Sequence, residues 1–383
     1  MSEIKTVLIL GGAGFVGRAV TEKYLKNKWR VIISTRTESE KKVKDKLMLH
    51  GFDEYSLEKF ISNKSLSFIF GVDLTDKKWI QSDNWLKLFD ELNVIIPSIL
   101  RIINLVGETS KSADEILKSN IYALESIFTL VRILKLQNKD VLFMTMGSTA
   151  ERKSDKNLSP YEYAKKIARR KIEEDNLCDF HFIANYIKGK GEQKMKLAAP
   201  ILWNKLKFSR KHLFGFKVSI IDVDDLADII YHLLEVIKIP PQKQKPVEVN
   251  VTNGEMLFGE MVQNLLPKNK RNIPKMIVPA DLERFFLWVY ATVIPFIKPH
   301  NQLARRLASF AKRSLINSKQ PEMLRFFKTA KEIKGLALAA DNYTVLETNP
   351  NLIVFDKHYP VIYILRERSK EELERIVRGV YFS

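Results

Sequence analysis

A tyrosine and a lysine four positions apart, Tyr161 and Lys165, are the residues of this sequence best suited to acid–base chemistry. On a helix, this spacing places both side chains on one face. In general, an ammonium group beside a phenol favours the phenolate and makes the phenol a usable proton donor or acceptor at working pH. The pair therefore predicts proton transfer at a substrate oxygen.

A glycine-rich turn near the start of the chain predicts a binding site for a dinucleotide. Three glycines spaced three apart follow the apolar run Val7 to Leu10, and a helical pattern follows them. The first glycine permits a tight turn, the second lets the backbone approach a pyrophosphate, and the third lets the helix lie close to its strand. The helix N-terminus then offers N–H groups to the phosphates. The predicted contact residues are Gly11, Gly14, Phe15, Val16, Gly17 and Arg18.

The end of the second predicted strand, 30–34, indicates which dinucleotide is bound. In dinucleotide-binding folds that begin with such a glycine turn, the end of the second strand meets the adenosine ribose. An acidic residue there suits the 2′-hydroxyl, whereas an arginine suits a 2′-phosphate. Arg36 stands there, and we predict that Arg18 faces it, which favours NADP with NAD as the alternative. A surface role for Arg36 is the competing interpretation. Asp73, followed by Leu74, is expected either to bind the adenine amino group or to cap a helix.

The elements that position these residues alternate between apolar runs and helical patterns. Gly107 ends a strand where a cofactor would pass, and Asn120 faces inward from a predicted helix over 113–134. The alternation predicts an α/β fold, a doubly wound parallel sheet of the Rossmann type. The predicted strands are 7–10, 30–34, 68–72, 101–107 and 141–145.

In their order along the chain, these motifs resemble the extended or atypical short-chain dehydrogenase/reductase family, which includes enzymes like the NAD-dependent epimerases and dehydratases. Several weak matches in the right order form a specific signal. The resemblance covers the first two-thirds of the chain. The matching segments are Gly11-x-x-Gly14-x-x-Gly17, Asp73-Leu74, 104–107, Asn120, Pro160-Tyr161-x-x-x-Lys165, 220–227 and 249–254.

The resemblance implies a role for each residue of the reaction site. Tyr161 would be the general acid/base at a carbinol or carbonyl oxygen, and Lys165 would hold the nicotinamide ribose. A serine or threonine on the preceding strand or loop would steady the substrate oxygen. Ser148 and Thr145 both fit this description, with Ser148 preferred for its spacing from Tyr161.

Two segments depart from the family pattern. The family has paired hydroxyl residues in the loop that here reads 145–149, and it has Arg-Pro near the position of Ala184-Asn185. Because of these departures, a second interpretation stays open, in which the protein holds its cofactor with little or no turnover.

The net charge of +18 favours anionic partners, such as a phosphorylated cofactor or a membrane surface, although a lysine-rich composition alone would also produce it. Residues 284–318 contain no acidic residue. Their apolar part, 285–297, is too short to span a bilayer, and an amphipathic basic pattern follows over 301–318. We predict that this segment contacts a membrane surface, with a core helix or a protein interface as alternatives. No nucleic acid is expected, because no aromatic residues interleave with the basic ones for stacking.

The single Cys178 and six scattered histidines predict no metal site. The single cysteine and the lack of a recognised signal peptide favour a reducing, cytoplasmic compartment, with peripheral membrane attachment as a variant. We expect a core over 1–265, which includes a small substrate lobe, and a mostly helical C-terminal extension over 266–383. Within the extension, the pattern predicts a strand at 351–355 and a helix at 369–377 capped by Ser369. A homodimer or a larger complex is left open.

Three functions follow from these features. The first is an NADP(H)-dependent oxidoreductase that acts on a hydroxyl or ketone carbon of a small, apolar or lipid-derived substrate. The second is a nucleotide-sugar epimerase or dehydratase. The third is a structural subunit that holds NADPH, resembling the short-chain-dehydrogenase-like accessory subunit of respiratory complex I.

Overall fold

A computed structural model of the chain describes most of its first two-thirds and parts of the remainder. The described residues are 5–91, 99–107, 112–137, 140–152, 158–184, 186–192, 212–213, 217–235, 246–266, 276–277, 289, 343–348, 351–356 and 361–378.

Strands and helices alternate through the first half of the chain, as the apolar runs predict. The elements are β1 (Lys5–Leu10), α1 (Phe15–Lys26), β2 (Arg30–Ser34), α2 (Glu40–Leu49), α3 (Glu54–Ser62), β3 (Leu66–Ile69), α4 (Ser82–Glu91), β4 (Ile99–Asn104), α5 (Ala113–Leu117), α6 (Ala123–Gln137), β5 (Asp140–Ser148), α7 (Pro160–Asp175) and β6 (Phe180–Ala184). A π turn, Lys118–Tyr122, joins α5 to α6, and short 3₁₀ turns cover Lys77–Ile80 and Thr149–Arg152.

Shorter elements make up the second half. They are β7 (Tyr186–Lys188), β8 (His212–Leu213), β9 (Lys217–Asp222), α8 (Val223–Glu235), β10 (Val247–Thr252), β11 (Gly254–Leu257), α9 (Phe258–Asn264), β12 (Met276–Ile277), β13 (Tyr343–Thr348), β14 (Asn351–Asp356), β15 (Val361–Leu365) and α10 (Lys370–Arg378).

The main sheet has the strand order β3-β2-β1-β4-β5-β6-β10-β15-β14-β13. The pairs from β3 to β10 are parallel, whereas β13 and β14 form an antiparallel pair. Successive residues of β1 are buried on opposite faces: Leu8 joins a cluster with Ile127 of α6, and Ile9, on the other face, is fully buried. A parallel sheet with both faces covered is the predicted doubly wound α/β fold, and this prediction is confirmed.

The described residues fall into two compact units that do not follow the boundary expected at 265/266. The first unit takes those within 1–184, 222–251 and 337–364, and the second takes those within 185–221, 252–336 and 365–383. The boundary differs because of strand pairing. Without a neighbour, β10 would leave its backbone N–H and C=O groups unpaired at the edge of the sheet, and β15 pairs with β10 there. Strands of the expected helical extension therefore complete the main sheet.

The second unit contains the small antiparallel pair β9 and β11, with β7 beside β9. Its apolar core joins Val218 and Met256 of these strands to Leu373 and Ile376 of α10. The helix predicted at 369–377 is confirmed as α10, where the Ser369 hydroxyl accepts the N–H of Glu372 at 3.2 Å. The strand predicted at 351–355 is confirmed as β14.

The membrane segment predicted at 284–318 lies outside the described residues, apart from Val289. Its contact with a membrane stays a prediction. In the part of the chain that the structure describes, no helix has the length and apolar character needed to cross a bilayer.

Candidate functional site

The glycine turn after β1 adopts the geometry that a pyrophosphate site requires. Gly11 has a φ of +83°, in the left-handed region, and its carbonyl accepts the N–H of Gly14 at 3.0 Å. A Cβ on Gly17 would lie 2.3 Å from the carbonyl oxygen of Gly11, so only glycine allows α1 to approach the turn this closely. Among the described residues no side chain caps α1, and its first turn contains no acidic residue, which leaves the helix N-terminus open to phosphate.

A cavity of about 620 Å³ extends from this turn along the carboxyl ends of the parallel strands. This edge of a doubly wound sheet is where such folds bind dinucleotides. The donor set fits that ligand, because glycines line the pyrophosphate end and cations line the adenosine end. The lining residues are Gly11, Ala13, Gly14, Ser34, Thr35, Arg36, Thr37, Lys42, Val43, Lys46, Val72, Asp73, Leu74, Thr75, Leu105, Val106, Gly107, Glu115, Lys118 and Ser119.

The adenosine end of the cavity carries two lysines in addition to the predicted arginine. Arg36 lines it as predicted, and Lys42 and Lys46, one turn apart on α2, join it. The i, i+4 spacing of the two lysines was the signal that could have identified them. Asp73 also lines the cavity, but its Oδ1 accepts the N–H and the hydroxyl of Thr75, at 3.0 and 2.8 Å. That contact makes Asp73 a turn-forming residue at the cavity wall.

The prediction that Arg18 faces Arg36 is wrong. Arg18 is 2% exposed, and its Nη1 lies 2.9 Å from Glu22 Oε2 and 3.1 Å from Asp224 Oδ1. Asp224 belongs to α8, and its carboxylate draws the guanidinium into the contact between α1 and α8. Arg18 is absent from the cavity lining, and so are its neighbours Phe15 and Val16, which are half-buried in the first turn of α1.

Tyr161 and Lys165 lie on α7 beside the carboxyl end of β5. The Lys165 ammonium donates to the carbonyl of Met146 at 3.3 Å and lies 5.9 Å from the centre of the Tyr161 ring. A Cβ on Gly107 would lie 3.5 Å from Lys165 Nζ and 3.1 Å from Asn120 Oδ1. The ammonium and the carboxamide therefore lie together at the strand end where Gly107 borders the cavity, and the Tyr161 ring lies beside the ammonium.

The start of α7 explains why Tyr161 lies at this edge. The Ser159 hydroxyl accepts the N–H of Glu162 at 3.3 Å, and the Glu162 carboxylate accepts the N–H of Ser159 at 2.7 Å. This capping box, with Pro160 as the first helical residue, fixes where the helix begins. Tyr161 is thereby set in the first turn and Lys165 in the second. Asn120 is held in the π turn by a hydrogen bond from its Nδ2 to the Ile116 carbonyl, at 2.8 Å.

The two candidates for the serine role have different environments. Thr145 is 1% exposed, and its hydroxyl lies 2.7 Å from Nδ1 of His181, inside the sheet. Ser148 is half-buried at the end of β5, where its hydroxyl accepts the N–H of Ala150 at 3.3 Å. Ser148 is thus the more accessible of the two hydroxyl residues.

The turn, the sheet and the cavity together define a dinucleotide-binding α/β protein. The model of the NAD dependent epimerase/dehydratase family matches residues 7–251, and the chain belongs to this family. Its class is therefore that of the NAD(P)-dependent oxidoreductases and epimerases, as the sequence resemblance predicts. None of the curated proteins matches the sequence.

Solved structures with similar folds share little sequence with this chain. A thiolation-reductase di-domain from an archaeal non-ribosomal peptide synthetase is 14% identical with a TM-score of 0.59, covering 87% of this chain and 71% of its own. The terminal R domain of the myxalamid PKS-NRPS pathway is 12% identical with a TM-score of 0.52, covering 81% and 79%. The Bordetella bronchiseptica enzyme WbmH, in complex with NAD+, is 12% identical with a TM-score of 0.48, covering 72% and 85%.

Proposed function

We propose that this protein is an NADP(H)-dependent oxidoreductase that moves a hydride to or from a hydroxyl or ketone carbon. The observation that carries the proposal is the Lys165 ammonium next to Gly107, which lines the dinucleotide cavity, with the Tyr161 ring beside that ammonium. A phenol with a fixed ammonium beside it can exchange a proton with a substrate oxygen. An arrangement of this kind has no evident purpose in a site that only holds a nucleotide.

Each side chain has a distinct task in this proposal. The bound nicotinamide supplies the hydride donor or acceptor. Lys165, held by the Met146 carbonyl, binds the ribose hydroxyls and keeps its positive charge beside the Tyr161 ring. Tyr161 gives its proton to the oxygen of a ketone that is being reduced, or takes the proton of an alcohol that is being oxidised. The Ser148 hydroxyl donates a hydrogen bond to that oxygen, and Asn120 lies beside Gly107 together with Lys165.

The choice of NADP is supported by the charge at the adenosine end. Arg36, Lys42 and Lys46 all line that end. A 2′-phosphate adds negative charge that these groups can bind, whereas the 2′-hydroxyl of NAD is usually bound by a carboxylate. The residues that end β2, 34–37, include no acidic side chain.

The substrate class that we propose is apolar or lipid-derived, reached at a membrane surface through residues 284–318. The support is the sequence of that segment, which joins aromatic and apolar residues to a basic flank. We expect the protein to float with vesicles of anionic phospholipid, and a variant lacking 284–318 to stay in solution. Equal behaviour of both proteins with such vesicles would contradict the membrane proposal and leave the oxidoreductase proposal intact.

Epimerase activity is the second candidate, because the matching family contains NAD-dependent epimerases. The two activities differ in what becomes of the reduced cofactor. An epimerase regenerates its cofactor in each turnover, so no net change in nicotinamide absorbance accompanies the reaction. An oxidoreductase changes the absorbance in proportion to product.

The decisive experiment identifies the nucleotide that the purified protein carries and measures turnover with a panel of alcohols and ketones. We expect Tyr161→Phe to lower kcat by about 100-fold or more, the usual range for loss of an acid–base group, without loss of bound nucleotide. Tyr163→Phe is the matched control, because Tyr163 lies on the same helix and is 49% exposed. Tightly bound NADPH without turnover in the wild type would contradict the proposal and favour a structural subunit.

A further inference from the structure

Three buried polar side chains, those of Thr145, His181 and Glu151, form a connected row beside the end of β5. The Thr145 hydroxyl lies 2.7 Å from Nδ1 of His181, and Nε2 of His181 lies 2.9 Å from Oε1 of Glu151. Thr145 and His181 are each 1% exposed, and Glu151 is 6% exposed. Burying such groups costs free energy unless each is paired, and here each one is paired with the next. None of the three is among the residues that line the cavity.

The backbone of β5 leaves space for these three side chains. Thr145 pairs in register with His181 on β6, and Gly147 pairs with Ile183. A Cβ on Gly147 would lie 2.4 Å from His181 Nε2 and 2.6 Å from Glu151 Oε2. Only glycine lets the histidine and the carboxylate rest on the strand at this position. The absent side chain therefore brings the pair next to Ser148.

Burial and pairing act in opposite directions on the pKa of Glu151. Burial by itself would raise the pKa of Glu151, but the His181 ring, Arg169 and a backbone N–H hold it below its usual value. The facing groups come from three elements: His181 from β6, Arg169 from α7, and Glu248 from β10. Arg169 Nη1 lies 3.6 Å from Glu151 Oε1 and 3.1 Å from Glu248 Oε2, so it links the two carboxylates.

The backbone N–H that Glu151 accepts belongs to Ser148, at 3.1 Å from Oε2. Hydrogen bonds to an ionised acceptor are about twice as strong as neutral ones, so this contact restrains the residue that carries the hydroxyl. One residue before Gly147, the Met146 carbonyl holds Lys165. The end of β5 is thus fixed on both sides of Gly147, once by the ammonium and once by the buried carboxylate.

We propose that Glu151, supported by His181, is a positioning residue that sets the Ser148 hydroxyl for the substrate oxygen. The proposal rests on the proposed function, because it gives Ser148 its task in that reaction. Glu151 touches neither substrate nor cofactor in this scheme and acts only through the backbone of Ser148. Its loss should therefore alter the rate of the chemical step and leave dinucleotide binding unchanged.

A double-mutant cycle between Glu151 and Ser148 tests this role. We expect Glu151→Gln to lower kcat by about 10-fold or more, with an unchanged KM for the dinucleotide, because the amide removes the charge and the glycine turn is untouched. In a protein that already carries Ser148→Ala, the same substitution should lower kcat no further, since the hydroxyl that it positions is gone. Additive losses of kcat, or no loss from Glu151→Gln alone, would overturn the proposal.

The chain offers a matched control on the same strand. The carboxylate of Asp179 accepts the N–H of Phe143 at 2.7 Å, near the other end of β5. Asp179→Asn removes the negative charge from the same kind of contact away from the site, and we expect a lower Tm with an unchanged kcat. A fall in kcat equal to that of Glu151→Gln would show that any loosening of β5 has this effect, and would count against a specific role for Glu151.

Two further measurements keep the result interpretable. If Glu151→Gln does not fold, His181→Gln replaces it in the cycle, because His181→Gln removes the partner of the Glu151 carboxylate and leaves the charge of Glu151 in place. We expect the same non-additivity with Ser148→Ala. Additive losses of kcat would overturn the proposal. A wild-type protein without turnover, or a Tyr161→Phe variant with full turnover, would overturn the proposed function and with it the task of Ser148. Amide hydrogen exchange at Ser148 then still reports whether Glu151 restrains this backbone, which separates the two failures.

Discussion

Arg36 is the residue from which the choice between the two nicotinamide dinucleotides is most directly testable. It lines the cavity at the end of β2, next to the lysines of α2. We expect Arg36→Ala to weaken NADPH binding by about 10-fold or more and to leave NADH binding nearly unchanged, because only NADPH loses a charge-assisted contact. Fluorescence titration with both cofactors measures the ratio.

Lys41→Ala is the control for Arg36, since it removes the same charge from the start of α2 at a position that does not line the cavity. An equal loss of affinity for both dinucleotides in Arg36→Ala would show that the arginine contributes to general attraction and not to selectivity. An unchanged ratio would therefore contradict the assignment of NADP.

At the scale of elements, the start of α8 predicts a pH dependence of stability. The Asp222 carboxylate precedes the helix and accepts the N–H groups of Asp224 and Asp225, at 2.7 and 3.3 Å. Burial, followed by the neighbouring negative charge of Asp224, raises the pKa of Asp222 to about 7. The folded state therefore binds this proton more tightly than the unfolded chain, in which an aspartate titrates near 3.9.

The resulting stability is fully present below about pH 4 and is lost as the pH rises through about 7. We expect Asp222→Asn to flatten this part of the pH profile, because the amide resembles the protonated acid and can still accept the helix N–H groups. Thermal unfolding of both proteins between pH 5 and 8 measures the effect. Parallel Tm curves across this range would contradict the raised pKa.

The limits of sequence-based prediction are visible in particular elements. The glycine turn after β1 and the start of α10 at Ser369 were predictable because each depends on residues within a few positions of one another. The strand predicted at 68–72 is observed at 66–69, because Gly71 has a φ of +72° and ends the extended backbone early. A local pattern does not show where such a turn falls.

Contacts between distant parts of the chain could not be read from the sequence. Arg18 was assigned to the cofactor, but Asp224, far along the chain, determines where its guanidinium lies. His181 was counted among scattered histidines, since its pairing with Glu151 depends on the register of β6 against β5. The predicted roles of Tyr161, Lys165 and Ser148 stay predictions, although the structure brings the first two together.

At the scale of the whole molecule, the sheet extends well beyond the residues that the family model matches. That match ends at residue 251, at β10, whereas the sheet continues through β15, β14 and β13. Ile362 and Ile364 of β15 are 2% and 1% exposed, so they are part of the core. A protein that ends at β10 would present a long apolar edge to solvent.

We therefore expect a truncated protein comprising residues 1–251 to aggregate or to lose nucleotide binding, although it contains every residue of the candidate site. The measurements are size-exclusion chromatography and NADPH titration. A shorter deletion of 366–378 is the control, because it removes α10 from the second unit and leaves the main sheet intact. A monodisperse 1–251 protein that binds NADPH would contradict the structural role given to β13–β15.

The π turn between α5 and α6 makes this stretch of the chain intolerant of deletion. A π turn holds more residues than an α-helical turn, so the two helices are rotated against each other by about 100° compared with one continuous helix. Both have adapted their apolar faces to that offset, with Ile116 buried before the turn and Ile127 buried after it. Removing any single residue from 118–122 would restore an uninterrupted helix and rotate the apolar face of α5 or of α6 towards water. Aligned relatives should accordingly keep the same number of residues here.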